Sequence, residues 1–186
     1  MSIILVSDVF GVTPALLEIS RQLQATAIID PYQGKIMSFK NESDAYSYFM
    51  NKVGLKNYLS VLSNKVKLSK KPITLVGFSV GASVVWRLSE SKDHNIISQG
   101  FCYYGSQIRK FTTINPRFKI NLVFPASEPH FDVNELLYLL SNKKNVSTIK
   151  VNYLHWFMNL HSENYSVHGT KEHIGLLCSA ISYHEG

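Results

Sequence analysis

Two hydrophobic rhythms alternate along the chain. Short, nearly continuous apolar runs occupy residues 3–6, 25–29, 73–76, 100–104, 120–124 and 147–153. They are rich in Ile, Val and aromatic residues, which fit a pleated, half-buried or buried surface, and they predict about six strands. Between them lie longer amphipathic stretches at residues 14–24, 43–52, 58–67, 82–91, 133–141 and 171–183, which predict helices. In the first of these Leu16, Leu17, Ile19 and Leu23 fall on one side. Strands that alternate with helices predict an α/β fold with a mainly parallel sheet, and apolar continuity within the strands predicts helices on both faces. The Ser-, Asn- and His-rich stretch 159–169 carries neither rhythm. In an open parallel sheet such a loop either lies over the carboxyl ends of the strands, where ligands bind, or simply crosses the surface.

One strand-to-helix junction carries chemistry. Gly77-Phe78-Ser79-Val80-Gly81 follows the apolar run at 73–76 and leads into the helical stretch at 82–91. A Gly-x-Ser-x-Gly string in that context is a nucleophile elbow: a sharp turn holds the serine in a strained conformation, and small neighbours let strand and helix pass closely. Ser79 is the expected nucleophile.

A serine hydroxyl attacks a carbonyl at neutral pH only if a histidine takes its proton, and the histidine needs an acid to orient it. Downstream candidates are His94, His130, His155, His161, His168, His173 and His184. His94, His173 and His184 lie beside or in helices and are expected at the surface. His155 stands where the last apolar run gives way to a loop, at the edge of the sheet where Ser79 is expected. For the acid, the run at 120–124 ends in Pro125-Ala126-Ser127-Glu128-Pro129-His130-Phe131-Asp132. Asp132 fits the N-cap of the helix at 133–141, with Glu135 placed for a capping box. Glu128 is therefore the better placed acid, and Asp132 the alternative. The oxyanion hole needs the amide after the nucleophile, Val80, and one from the loop after an early strand. Residues 7–14 form that loop, and Val9 is the expected donor.

Length, composition and charge narrow the partners. With 186 residues and 45% hydrophobic content, one domain spanning 1–186 is expected. The net charge is +6, but Lys65, Lys67, Lys70 and Lys71 read as a solvated helix end, so no nucleic-acid partner is expected. The two cysteines, Cys102 and Cys178, make no disulfide framework. The first residues lack a basic leader and their apolar run stops at Ser7, so a cytoplasmic protein without membrane partners is expected. His155, His161, His168 and His173 lack the i, i+4 spacing of a helical zinc site, and no metal or other cofactor is expected.

Four segments resemble the dienelactone hydrolase family of α/β-hydrolases. Residues Leu5 to Val12 look like its early strand and oxyanion loop, with an acidic residue, an aliphatic residue, Phe and Gly in this order. Asp30-Pro31-Tyr32-Gln33-Gly34 is similar to its acidic, Tyr and Gly segment. Gly77 to Gly81 matches its elbow, and His155-Trp156-Phe157-Met158-Asn159, with Asn164-Tyr165 beyond, resembles the segment at its catalytic histidine. The resemblance implies a compact α/β-hydrolase fold without a lid. It selects His155 over His161 and His168, puts Glu128 in the place of the acid and Val9 at the second oxyanion amide, and sets Asp8 near the elbow. It implies a small-molecule substrate: an ester, lactone or thioester. Asp8, Phe10, Tyr104 and Trp156 are expected to line its site. Three residues depart from the family pattern: Ser79 replaces the archetype's Cys, Glu128 replaces Asp, and Trp156 replaces a glycine. Arg87 and Arg109 are candidates to hold a substrate carboxylate, with surface salt bridges as their alternative role. A catalytically idle fold that binds a small molecule is the other reading. Because the first apolar run leads straight to the oxyanion loop, the two antiparallel strands that open a fuller α/β-hydrolase are not expected, and the site should be open.

Overall fold

The chain is described by a computed structural model that covers residues 1–92 and 95–182. His94, His184 and the end of the helix expected at 171–183 lie outside the described residues. Six strands form one parallel sheet: β1 (Ser2–Val6), β2 (Ala27–Ile29), β3 (Ile73–Phe78), β4 (Ile97–Tyr103), β5 (Lys119–Phe124) and β6 (Val146–Lys150), in the order β2-β1-β3-β4-β5-β6. The helices are α1 (Pro14–Gln22), α2 (Glu42–Lys52), α3 (Gly54–Lys67), α4 (Val80–Leu88), α5 (Val133–Ser141) and α6 (Val167–Ser182).

The chain leaves β1 toward β2 on one side and returns to β3 on the other. Strand order therefore reverses between β1 and β3, and at such a switch the loops leaving the carboxyl ends part to form a crevice. The loop after β1 and the turn after β3, with Ser79 in it, flank that crevice.

Side-chain alternation along β4 shows the two layers. A Cβ on Gly100 would meet Val85 of α4 at 3.0 Å, whereas Tyr103 packs edge-on against His173 of α6, with ring centroids 5.5 Å apart. Helices thus lie on both faces, and β3 is buried along its whole length. Strand β6 departs from the expectation of double coverage. It is an edge strand with a mostly exposed side-chain pattern, and Ile149 is 48% exposed.

Element ends follow local chemistry. Thr13 caps α1 by accepting from Leu16 N at 3.2 Å, and Pro14 stands at its first turn, where no amide partner is lost. Asp132 caps α5, its carboxylate accepting from Asn134 N at 2.7 Å. Strand β6 stops at Lys150, short of the expected 153, because Tyr153 turns its carbonyl to the Ala126 amide at 2.7 Å. Helix α6 starts at Val167 and absorbs the end of the unassigned stretch. A short 3-10 helix, Ser106–Lys110, has too few residues to carry a legible period.

Tyr58 of α3 is fully buried, and its hydroxyl lies 2.9 Å from the Ile29 carbonyl and 3.0 Å from that of Ser7. It ties the carboxyl ends of β1 and β2 together beneath the crevice. Among the described residues no helix is long and apolar enough to cross a membrane.

Candidate active site

Ser79 sits between β3 and α4 with φ 52 and ψ −112, a strained backbone for a non-glycine residue. The flanking glycines make that turn possible. A Cβ on Gly77 would meet the backbone of Ala82 at 2.8 Å, and one on Gly81 would run into the carbonyl oxygens of Val6 and Ser7. The Ser79 amide donates to the Tyr103 carbonyl at 2.9 Å, which fixes the turn to the end of β4. Val80 begins α4, so its amide has no acceptor within the helix.

Ser79 Oγ lies 3.2 Å from His155 Nε2, and His155 Nδ1 lies 2.5 Å from Glu128 Oε1. A carboxylate on Nδ1 holds a proton there and leaves Nε2 free to accept the serine hydroxyl. The His155 and Glu128 side chains are 15% and 5% exposed, so the pair is largely shielded from water. Tyr104 packs beneath the imidazole at 5.2 Å, and Asn164 Nδ2 donates to the His155 carbonyl at 3.2 Å. Asp132, the alternative acid, is committed to its helix cap. His130, His161 and His168 are exposed, and among the described residues none of the three is hydrogen-bonded to Ser79, although His130 borders the same cleft. His173 corrects the expectation of a surface residue. It is 2% exposed among Tyr103, Tyr153 and Phe157, and burial lowers its pKa.

The cleft above Ser79 has a volume of about 790 Å³, and Val80, Glu128, His155 and Trp156 are among its lining residues. Three of the residues expected to line the substrate site lie elsewhere. Asp8 is 8% exposed and accepts from Phe10 N at 2.9 Å and from Asn159 Nδ2 at 2.6 Å. Burial pushes its pKa up from 3.8 to about 6, opposed by those two hydrogen bonds and by His155. Phe10 is 4% exposed, stacked on His161 and edge-on to Trp156. Tyr104 is 1% exposed and, with Asp8, borders a separate void of about 20 Å³. All three turned inward because each found a closer partner within the loops. Trp156 is the one of the four that borders the cleft.

The arginines also depart from the salt-bridge expectation. Arg87 lies over the Phe111 ring at 4.7 Å, and Arg109 over the Phe131 ring at 5.2 Å, while donating to the Ser106 carbonyl. Arg109 borders the cleft, as do Glu42, Tyr46 and Gln107, which carried no sequence signal. Gln107 donates to the Tyr46 hydroxyl at 2.9 Å, a pairing across 61 positions that no local pattern records.

The loop after β1 is held from outside. Asp30 accepts from the amides of Tyr32 at 2.7 Å and Gly34 at 2.8 Å, and the Tyr32 hydroxyl donates to the Val9 carbonyl at 2.6 Å. Gly11, at φ 73, leaves room for the Tyr32 ring. Within this loop the amides of Phe10 and Gly11 are both taken by Asp8, through its carboxylate and its carbonyl.

No family model matches the chain. It is 28% identical over 165 residues to YczH, an uncharacterized protein of Bacillus subtilis, an alignment that covers 84% of this chain and 80% of that protein. Among solved structures it resembles a dienelactone hydrolase-like promiscuous phosphotriesterase from metagenomic libraries, with a TM-score of 0.66 at 11% identity, covering 98% of this chain and 85% of the other. It also resembles Est1E from Butyrivibrio proteoclasticus, with a TM-score of 0.61 at 10% identity over 97% and 86% of the two chains. A lipase-esterase related protein from Clostridium acetobutylicum has a TM-score of 0.59 at 11% identity over 95% and 93%. Together with the parallel sheet order and its switch point, these likenesses show that the chain has the α/β-hydrolase fold.

Proposed function

We propose that the protein is a serine hydrolase that cleaves a carboxylic ester, lactone or thioester through an acyl-enzyme on Ser79, in the manner of dienelactone hydrolase-like enzymes. The observation that carries this reading is the line Ser79 Oγ, His155 Nε2, His155 Nδ1, Glu128 Oε1, held at 3.2 and 2.5 Å on a strained strand-to-helix turn. The names of the structural neighbours, which include esterases, support the same chemistry.

Ser79 Oγ attacks the carbonyl carbon while its proton passes to His155 Nε2, and Glu128 stabilises the imidazolium. The Val80 amide, aided by the positive end of α4, receives the developing oxyanion. The second donor is the Val9 amide, because its neighbours Phe10 and Gly11 are committed to Asp8. His155 then gives its proton to the leaving oxygen or sulfur, the carbon–heteroatom bond breaks, and an acyl-serine ester remains. Water, deprotonated by His155, attacks the acyl carbon, the bond from that carbon to Ser79 Oγ breaks, the acid departs, and His155 returns the proton to Ser79. No step requires a metal or cofactor.

The test is covalent labelling with a fluorophosphonate probe beside turnover of p-nitrophenyl acetate. Wild-type protein labels on Ser79; S79A does not label and loses turnover by at least about 10³-fold, and H155A is comparably slow. A folded wild-type protein that stays unlabelled and turns over no faster than S79A overturns the proposal, and points instead to a non-catalytic fold that binds a small molecule.

A further inference from the structure

Gln99 of β4 carries a buried amide without a partner. The residue is 3% exposed, and its Nε2 has no hydrogen-bond acceptor among the described residues. A buried N–H group left unpaired lowers stability, and native folds keep few of them. Strand alternation sends Gln99 to the same face as Phe101 and Tyr103, the face on which α6 packs through His173. Parallel register sets Lys119 beside Gln99, Asn121 beside Phe101 and Val123 beside Tyr103. Ile149 of the edge strand β6 then stands beside Val123.

Helix α6 leaves part of this face open. A groove of about 770 Å³ runs beside it, with Gln99, Lys119 and Asn121 from the strands and Leu176 and Ala180 from the helix among its lining residues. Phe101, Asn121 and Leu176 also border an adjoining cavity of about 240 Å³, which extends the groove to Val123, Ile149 and Leu177. The lining changes character along the strands. Gln99 and Lys119 mark the end near the amino termini of the strands, and Lys119 is exposed and makes no ion pair among the described residues. The other end is apolar, yet Ile149 and Leu176 are 48% and 52% exposed. No described Asp or Glu lines either cavity. From Gln99 to Tyr103 the strand covers about 13 Å at ~3.3 Å per residue, room for an alkyl chain of medium length.

We infer that this groove is a second ligand site, and that its ligand is an amphipathic monocarboxylate with a medium-length alkyl chain. The carboxylate accepts from Gln99 Nε2 and pairs with Lys119, which meets both unpaired groups with one negative charge. The chain lies along Phe101 and Val123 and covers Ile149 and Leu176. The groove shares no lining residue with the cleft above Ser79, so the inference stands independently of the serine-hydrolase reading.

The experiment is calorimetric titration of the protein with hexanoate, octanoate and decanoate, with decan-1-ol as the uncharged control. Each added CH₂ tightens Kd by roughly two- to fourfold, and decanol binds more weakly than decanoate. Lys119→Gln weakens decanoate by about threefold or more, Leu176→Glu weakens it at the apolar end, and S79A, altered only in the cleft, binds as the wild type does. Gln99→Leu weakens decanoate by about tenfold, while the Tm of the ligand-free variant holds or rises because no hydrogen bond within the fold is lost. Absence of decanoate binding by folded wild-type protein overturns the inference. So does binding that Lys119→Gln and Leu176→Glu leave unchanged or that S79A weakens, since the ligand then sits elsewhere. Decanol binding as tight as decanoate removes the carboxylate assignment, and a lowered Tm for ligand-free Gln99→Leu would show that the amide already serves the fold.

Discussion

Asp8 and Trp156 show how single residues near this site bear energetic costs that their neighbours compensate. The left-handed backbone of Trp156 costs about 1–3 kcal/mol, set against the burial of a large indole in contact with His155 and Phe10. Asp8 is buried, yet its two hydrogen bonds tie the loop after β1 to Asn159 on the segment that carries His155. Its folded pKa of about 6 stands above the ordinary 3.8, so the folded chain holds this proton more tightly than the unfolded chain. The stabilisation is complete below about pH 3.8 and is lost as pH rises through the interval to 6, for a total of roughly 3 kcal/mol. Asp8→Asn removes that slope. Urea denaturation of both proteins from pH 4 to 7 should show the wild type losing stability relative to the variant as pH rises, and parallel curves would contradict it.

At the scale of elements, the elbow depends on backbone contact between β1, β3 and α4. Gly81 is the closest point: any Cβ there meets the carbonyl oxygens of Val6 and Ser7, which belong to the strand and loop that lead to the Val9 amide. Those atoms are backbone and cannot rotate aside. Gly81→Ala is expected to destabilise the fold by more than about 2 kcal/mol, and to reduce labelling of Ser79 in whatever fraction stays folded, since α4 and the loop after β1 are pushed apart. Chemical denaturation with parallel probe labelling checks both, and a variant of wild-type stability would contradict the contact. The segment around Asp30 acts on the same loop from the other side through Tyr32. A loop of small and apolar residues is thus held to a fixed course by two neighbours remote in sequence.

Across the whole molecule, titration on opposite sides of the site pulls stability in opposite directions. His173 of α6 is buried against β4 and the segment that follows β6, and burial lowers its pKa below 6.5, partly offset by Glu172. The unfolded chain therefore takes up this proton first, so the contribution of His173 is present above about pH 6.5 and is lost as pH falls. Asp8 acts in the reverse sense over a lower range. His173→Phe keeps an aromatic ring among Tyr103, Tyr153 and Phe157 and removes the titration. Its stability should fall less than that of the wild type between pH 6.5 and 5 in denaturant titrations; an identical slope in both would exclude His173 as its source. The charge of +6 takes no visible part in the cleft, where Glu42, Glu128 and Arg109 all stand at the lining.

Much of this arrangement is local, and so was legible in the chain. Apolar runs and their periods marked the six strands and the helices, because those patterns record which side of each element is buried. Gly77, Ser79 and Gly81 marked the elbow, because only small residues permit that turn. Asp132 is readable as a cap from the residues just after it, which leaves Glu128 as the uncommitted carboxylate of that loop. Tertiary structure decided the rest. Ser79 and His155 are 76 positions apart, and Glu128 and His155 are 27 apart. Their approach depends on strand order and register, to which spacing along the chain is blind. The inward turn of Asp8, Phe10 and Tyr104, the burial of His173 and the placement of Arg109 at the cleft were likewise decided by partners far away in sequence. A side chain's direction from a loop depends on what packs against it, and the amino-acid pattern of the loop alone does not contain that partner.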